Sequence, residues 1–271
     1  MPTRKLSKGT SSVADADRSE VAARVADKIL LASELPSRHT ALIYGRPKTG
    51  KTRLAASAPD VLLIDVNEKG TSSTKKDINP SVYPVEYWQE INDVYWFLKE
   101  GKHSFKSVAI DGVTALQNLC LNFVLGEMQA LDASRDPDMP SRQAWGKVGK
   151  LMRTQITNYR NLPMNVVFTA LTRAAFQGDD DDEDADRQIG PACSPSVAGH
   201  LEAAVEVIGY LYKREVFVKI KNQDKRKKVR RTRLIVEGTE KYLVGDRTGA
   251  LGDHVDAPDL GKIFAKMDEE E

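Results

Sequence analysis

The sequence predicts an α/β fold, with a mostly parallel central sheet flanked by helices and an antiparallel β extension towards its C-terminal end. Three observations predict it. The first is a set of short, continuously apolar segments at 40–44, 61–64, 107–110 and 165–170, the composition a strand needs when both its faces are buried. The second is that helical periodicity fills the gaps between them, which implies right-handed crossovers between parallel strands. The third is a change of rhythm in the last third, where 205–212, 216–220, 232–236 and 242–244 read as short strands joined by tight turns.

Residues 1–17 mix Lys, Arg, Ser, Thr and Asp with almost nothing apolar, and read as a flexible tail. Over 19–31, Val21, Val25, Ile29 and Leu30 have amphipathic spacing, with Ser19 as N-cap. A single large domain is expected over 18–258. Within it, 82–85 reads as a further strand, and Tyr87, Ile91, Val94, Tyr95 and Leu98 recur at helical spacing until Gly101. A helix over 114–128, a loop over 132–140 and a long helix capped by Ser141 follow. That last helix carries Trp145, Val148, Met152, Ile156 and Tyr159 on one stripe. Residues 259–271 read as a short helix with an acidic end.

The charges nearly cancel: 40 Lys and Arg against 39 Asp and Glu give a net charge of +1. No global field recruits nucleic acid, so any basic footprint is local. Cys120 and Cys193 are far apart and lack C-x-x-C spacing, which excludes a disulfide framework or zinc site and fits a reducing compartment. No apolar run approaches the ~20 residues a bilayer span needs, and no signal-peptide pattern opens the chain. The expectation is a soluble, cytoplasmic protein with no membrane partner.

The chemistry centres on Gly45-Arg46-Pro47-Lys48-Thr49-Gly50-Lys51-Thr52, which reads G-x-x-x-x-G-K-T between a strand and the helix start at Arg53. Glycines let the backbone aim several N–H groups at one anion, and the helix N-terminus adds its partial positive charge there. This stretch, through Arg53, predicts binding of a nucleoside triphosphate, taken as ATP, with Lys51 on the β- and γ-phosphates and Thr52 on Mg²⁺. Asp111 ends the apolar run 107–110, where an acid can serve the same ion. Gly112 follows it rather than a glutamate, so the carboxylate that orients the attacking water must come from Asp65 or Glu68, with the choice open. Thr169 and Thr172, near the end of the 165–170 strand, can bond the γ-phosphate or that water.

Two charged stretches remain. Asp179-Asp180-Asp181-Asp182-Glu183-Asp184 falls in an expected mobile loop over 173–199, and its spacing is not that of a calcium loop. Lys219, Lys221, Lys225, Arg226, Lys227, Lys228, Arg230, Arg231 and Arg233 are flanked by apolar runs and predict a basic β-hairpin suited to a nucleic-acid backbone. Aromatic residues are not interleaved in that run, so base stacking is not indicated there.

Taken together, residues 38–252 resemble the RecA-type ATPase core, and more narrowly its small phage-encoded members that work with single-strand annealing systems. The resemblance implies a RecA-like P-loop NTPase fold, ATP hydrolysis stimulated by DNA, and a part in phage recombination, annealing or repair. It implies single-stranded DNA, further copies of the chain in a ring or filament, and a single-stranded-DNA-binding protein as partners, in a bacterial host cytoplasm. Val218-Lys219-Ile220-Lys221-Asn222 is similar to the K-x-K element that reaches a neighbour's nucleotide, so Lys219 and Lys221 would act in trans. Gly245-Asp246-Arg247-Thr248-Gly249 looks like a late motif of the phage subgroup, and makes Arg247 a second trans candidate. Lys225, Arg226, Lys227, Lys228, Arg230 and Arg231 would contact DNA. A P-loop kinase and a nucleotide-gated loader or packaging module with little turnover are the alternatives.

Overall fold

The computed structural model describes residues 23–31, 34, 36–66, 70–134, 136, 139–176, 187–219, 226–238 and 240–270. It divides into two units, residues 1–37 and 38–271. In the first unit, residues 23–26 form one helical turn, closed by Asp27 N donating to Ala23 O at 2.9 Å. The helix expected over 19–31 is therefore shorter within the described residues, and Ser19 and Val21 lie outside them. Val25, Ile29 and Leu30 are exposed, so the burial that sustains most short helices is missing.

The second unit runs β1 (Thr40–Tyr44), α1 (Lys51–Ala55), β2 (Val61–Asp65), a 3-10 turn (Gly70–Ser73), β3 (Ser81–Pro84), α2 (Trp88–Lys99), β4 (Ser107–Asp111), α3 (Val113–Leu131), α4 (Arg142–Arg160) and β5 (Asn165–Ala170). It continues with β6 (Thr172–Phe176), β7 (Arg187–Pro191), α5 (Pro195–Ala204), β8 (Val207–Lys219), β9 (Arg226–Ile235), β10 (Gly245–Asp246), β11 (His254–Asp256) and α6 (Leu260–Glu270). Among the described residues the large sheet has the order β11-β9-β8-β1-β5-β4-β2-β3, with β10 beside β8. From β8 through β3 every pairing is parallel, while β9, β10 and β11 pair antiparallel. This is the expected α/β sheet with its antiparallel extension.

The central strands are apolar throughout because helices cover both faces. On one face Leu42, Tyr44, Ile64, Ile110, Val166 and Phe168 pack against α2, α3, α4 and α5. On the other, Ala41, Ile43, Leu63, Ala109 and Val167 meet α1 and α6. Each large apolar side chain buried here contributes about 1.5–3 kcal/mol, more than the spread of strand propensities, so packing decides these strands. The helix starting after Ser141 forms as expected, with Ser141 Oγ accepting from Ala144 N at 3.2 Å. Its buried stripe, however, is Ala144, Val148, Met152, Ile156 and Tyr159, while Trp145 stays 38% exposed. Steps of four and three keep the stripe on one side, and Trp145 falls between Met152 and Ile156 in angle around the helix, left exposed in the helix's first turn.

Two other expectations are corrected. One strand, β8 (Val207–Lys219), runs through both of the segments expected at 205–212 and 216–220, because β9 pairs with it continuously from Tyr210↔Ile235 to Lys219↔Arg226. The stretch 173–199, expected as a loop, instead contains the β6–β7 hairpin and α5. Its acidic run 179–184 lies outside the described residues. Cys120 and Cys193 are free and buried, and burial pushes both thiols up to about 12, which makes them inert as nucleophiles at neutral pH. Among the described residues no helix is long and apolar enough to cross a membrane.

One ionic cluster around the buried His39 ties α6 to the sheet. His39 is 2% exposed, stacks on Phe264 at 5.4 Å, and its ring nitrogens lie 3.3 Å from Glu206 Oε2 and 2.8 Å from Asp268 Oδ1. Burial pulls its pKa down, but the hydrogen bonds and charges of the two carboxylates outweigh it and leave the value raised above 6.5. The resulting stability is fully present below pH 6.5 and is lost as pH rises through the folded value. Glu206 is opposite: burial raises its pKa, His39 and Thr40 N lower it further than that, and its contribution is lost as acid titrates it below 4.5. The thermal midpoint is therefore expected to fall on the alkaline side of pH 6.5, and His39→Gln to flatten that limb in a melting series from pH 6 to 9.

Candidate nucleotide site

The loop after β1 folds as its sequence requires. Gly50 has φ 108 and Lys48 has φ 64, both left-handed, so the chain curls back on itself before α1 begins. Glycine takes this at no steric cost, whereas Lys48 is strained by about 1–2 kcal/mol. Thr49 Oγ1 braces the curl by donating to Arg46 O at 2.9 Å. Lys51 is 7% exposed, and its ammonium donates to Gly45 O at 3.1 Å and Arg46 O at 3.2 Å. A cation thus sits inside the loop at a helix start, held by two carbonyl oxygens whose place a phosphate oxygen can take.

The sheet places the second half of the site beside this loop. Asp65, Asp111, Thr169 and Ile43 are direct partners across β2, β4, β5 and β1, so they share one face in a single row. Because β5 lies between β1 and β4, Thr169 stands next to Asp111 and donates to its Oδ1 at 2.5 Å. Thr52 donates to the other oxygen, Oδ2, at 2.6 Å. Asp111 is 1% exposed, and its buried charge is held by two hydroxyl donors. The donor set of threonine hydroxyl and aspartate carboxylate is all oxygen, as Mg²⁺ prefers, and Thr52 and Asp111 are the residues that would hold that ion. When bound, it would neutralise charge on the β- and γ-phosphates. Asp65 is also buried, at 8% exposure, and stands one strand further out in the same row.

Close packing closes one side of the loop. A Cβ on Gly45 would lie 2.4 Å from Leu211 O, a backbone atom of β8, so only glycine fits there. A Cβ on Gly70 would lie 2.5 Å from Thr52 Oγ1, which presses the 3-10 turn against the hydroxyl that would hold the ion. Lys213, also on β8, donates through Nζ to Lys48 O at 2.8 Å and gives that strained residue a partner. Neither Lys213 nor Leu211 has a local sequence signal; only the β1–β8 register brings them to the loop.

The remaining expected residues are scattered. Thr172 leaves the site for the two-stranded β6–β7 sheet, paired with Pro191. Arg247 is at the opposite end of the sheet: its N donates to Glu206 O and its guanidinium to Ala203 O at 2.9 Å. Glu206 bonds Thr40 N, at the start of β1, whereas the phosphate loop follows its end. Asp246 holds a tight turn by accepting from Thr248 N at 2.9 Å, Thr248 Oγ1 at 2.7 Å and Leu251 N at 2.9 Å, which accounts for that motif structurally. Glu68, Lys221 and Lys225 lie outside the described residues. Lys219, Arg226 and Lys227 lie on β8 and β9 at the distal end of the hairpin.

The hairpin itself is less uniformly basic than its composition. Glu215 forms ion pairs with Lys228 and with Arg230, the latter at 3.4 Å, and Asp256 accepts from Arg233 at 2.7 and 2.8 Å. Arg214 and Arg231 are directly opposed across the strands, and the Arg214 charge also acts on the Asp256 carboxylate. Phe217 is 68% exposed on β8, so an aromatic side chain does lie among the cations, contrary to the reading of the basic run alone. The strand pairing supplies it from the other half of the hairpin.

Residues 37–248 match the model of the AAA domain family. The chain belongs to the AAA domain family. It is a nucleotide-binding P-loop ATPase domain. No curated protein matches it. Among solved structures it is similar to a KaiC-like protein of the hyperthermophilic archaeon Pyrococcus horikoshii OT3, with 12% identity, coverage of 81% of this chain and 89% of that one, and a TM-score of 0.39.

Proposed function

We propose that this AAA domain protein hydrolyses ATP and binds single-stranded DNA, in recombination, annealing or repair of the phage type. The observation that carries this reading is that one element, β8, joins both sites. Its Leu211 carbonyl and Lys213 ammonium form the wall of the phosphate loop, and its distal half carries Arg214 and Phe217 into the basic hairpin. Cations track a phosphate backbone, and an exposed aromatic ring offers a base a stacking surface. Filling the loop with a triphosphate would alter the Lys48–Lys213 contact and so the hairpin's hold on DNA. Asp65, in the row with Asp111, would orient the attacking water. Arg247 lies away from its own loop, so with Lys219 and Lys221 it would serve a neighbouring copy in a ring or filament.

The test is phosphate release from ATP and Mg²⁺ with and without single-stranded DNA, together with DNA affinity against salt. Stimulation by DNA is expected, and about five phosphate contacts give a slope of log affinity against log salt near −3.5. Salt-independent binding would remove DNA from the hairpin. Turnover indifferent to DNA would favour a protein-gated loader or packaging module, and label transfer to an acceptor other than water would favour a kinase.

A further inference from the structure

The tip of the phosphate loop, Arg46 to Lys48, is exposed, so bonds rather than packing hold its shape. Shape matters there because Lys48, at φ 64, and Gly50, at φ 108, turn left-handed on either side of Thr49. Such alternation points successive backbone N–H groups into one concavity, the nest that takes an anion. A lysine resists this conformation and a glycine does not. Left to itself, Lys48 would relax towards negative φ and open the concavity. Within the loop, Thr49 Oγ1 donates to Arg46 O, and Lys51 Nζ donates to Gly45 O and Arg46 O. The Lys51 bonds are the ones that a phosphate oxygen replaces, so of these three a filled loop keeps the threonine's alone.

A further brace comes from outside the loop. β8 pairs with β1 as far as Tyr44↔Tyr210, so the next residues of β8 run alongside the loop. Leu211 O, 2.4 Å from where a Cβ on Gly45 would lie, fixes the loop's base. Two residues on, Lys213 Nζ donates to Lys48 O at 2.8 Å and fixes its tip. Glu215, on the same face of β8, pairs with Lys228 and Arg230, whereas Lys213 forms no ion pair among the described residues. Its charge is directed to the loop carbonyl instead. Because this bond is anchored in a neighbouring strand, it can hold the left-handed turn while phosphate draws Lys51 away from its carbonyls.

We propose that Lys213 is a positioning residue for phosphate binding, holding Lys48 in its left-handed turn from the adjacent strand. The role rests on phosphate occupying the loop, and it acts through Lys48 rather than on the phosphates. The test is a double-mutant cycle of Lys213→Met with Lys48→Gly in the whole chain, read by calorimetric titration with Mg²⁺ and ATP and by steady-state phosphate release. With Lys48 in place, Lys213→Met is expected to weaken ATP about fivefold, the scale of one charge-assisted bond shared with water. KM should rise with it while kcat stays within about twofold, since an evenly preorganised loop serves ground state and transition state alike. With glycine at 48 the turn has no steric cost, so Lys213→Met should then change affinity by less than about twofold. Inorganic tripolyphosphate should repeat both results, because the loop holds phosphates. Lys48→Asn, a residue that also tolerates the turn, gives the same comparison if the glycine variant melts early. An equal loss in both backgrounds would overturn the proposal by making Lys213 a direct phosphate contact. Unchanged affinity with Lys48 in place, or a fall in kcat at constant KM, would overturn it as well. Failure of the natural protein to bind either ATP or tripolyphosphate would instead overturn the nucleotide site itself.

Discussion

Lys51→Ala is expected to lower ATP hydrolysis by about 10²–10³-fold, the usual cost of removing one donor aimed at developing charge in a water-poor site. The side chain is buried at 7% exposure, and its ammonium bonds Gly45 O and Arg46 O from inside the loop. Those carbonyls neutralise the cation only in part, so an incoming phosphate gains a charge-assisted hydrogen bond in a low-dielectric pocket. Alanine removes that bond and leaves the two carbonyls facing the phosphates with no cation between. Nucleotide affinity should fall with the rate. Phosphate release and calorimetric binding, with the melting temperature as a control for folding, would check it; turnover within tenfold of the natural protein would exclude Lys51 from the chemistry.

Asp111→Asn is expected to reduce Mg²⁺-dependent hydrolysis by about 10²-fold, while nucleotide binding without Mg²⁺ changes little. Both Asp111 oxygens accept hydroxyl donors, Thr169 at 2.5 Å and Thr52 at 2.6 Å. An amide has one acceptor oxygen and a donor nitrogen, so one threonine would have to reverse its bond, and the negative charge is lost. Thr169→Val keeps that charge and deletes one donor, so its effect should be smaller, about tenfold. Titrating Mg²⁺ against phosphate release separates the two variants: the asparagine should raise the Mg²⁺ requirement, and the valine should mainly lower the plateau. An unchanged Mg²⁺ requirement in Asp111→Asn would place the ion elsewhere.

The parts of this site that were legible in the chain are those whose chemistry is consecutive. Gly45 to Arg53 announces strand, turn and helix start in one run, because tight backbone curvature demands glycine and phosphate demands an adjacent cation. Asp111 and Thr169 were legible because each ends an apolar run, and ligands of parallel sheets gather at such ends. Trp145 was legible as a member of the helix's apolar stripe but not as an exposed one, because the angle around a helix is local whereas how far the packed interface extends along it is decided by tertiary structure. The β6–β7 hairpin and α5 were hidden in a stretch whose Gly, Pro and Asp content reads as loop.

Local composition determined that this chain is an α/β protein with a phosphate loop, since burial on both faces dictates the strand composition and curvature dictates the glycines. Strand register decided the rest. Lys213, Leu211 O and Gly70 meet the loop, Glu215 clasps two hairpin cations, and Asp77 pairs with Arg53. None of these is a neighbour in sequence. Each depends on which strand lies beside which, and that is set by the summed burial of the whole core rather than by any residue's own preference.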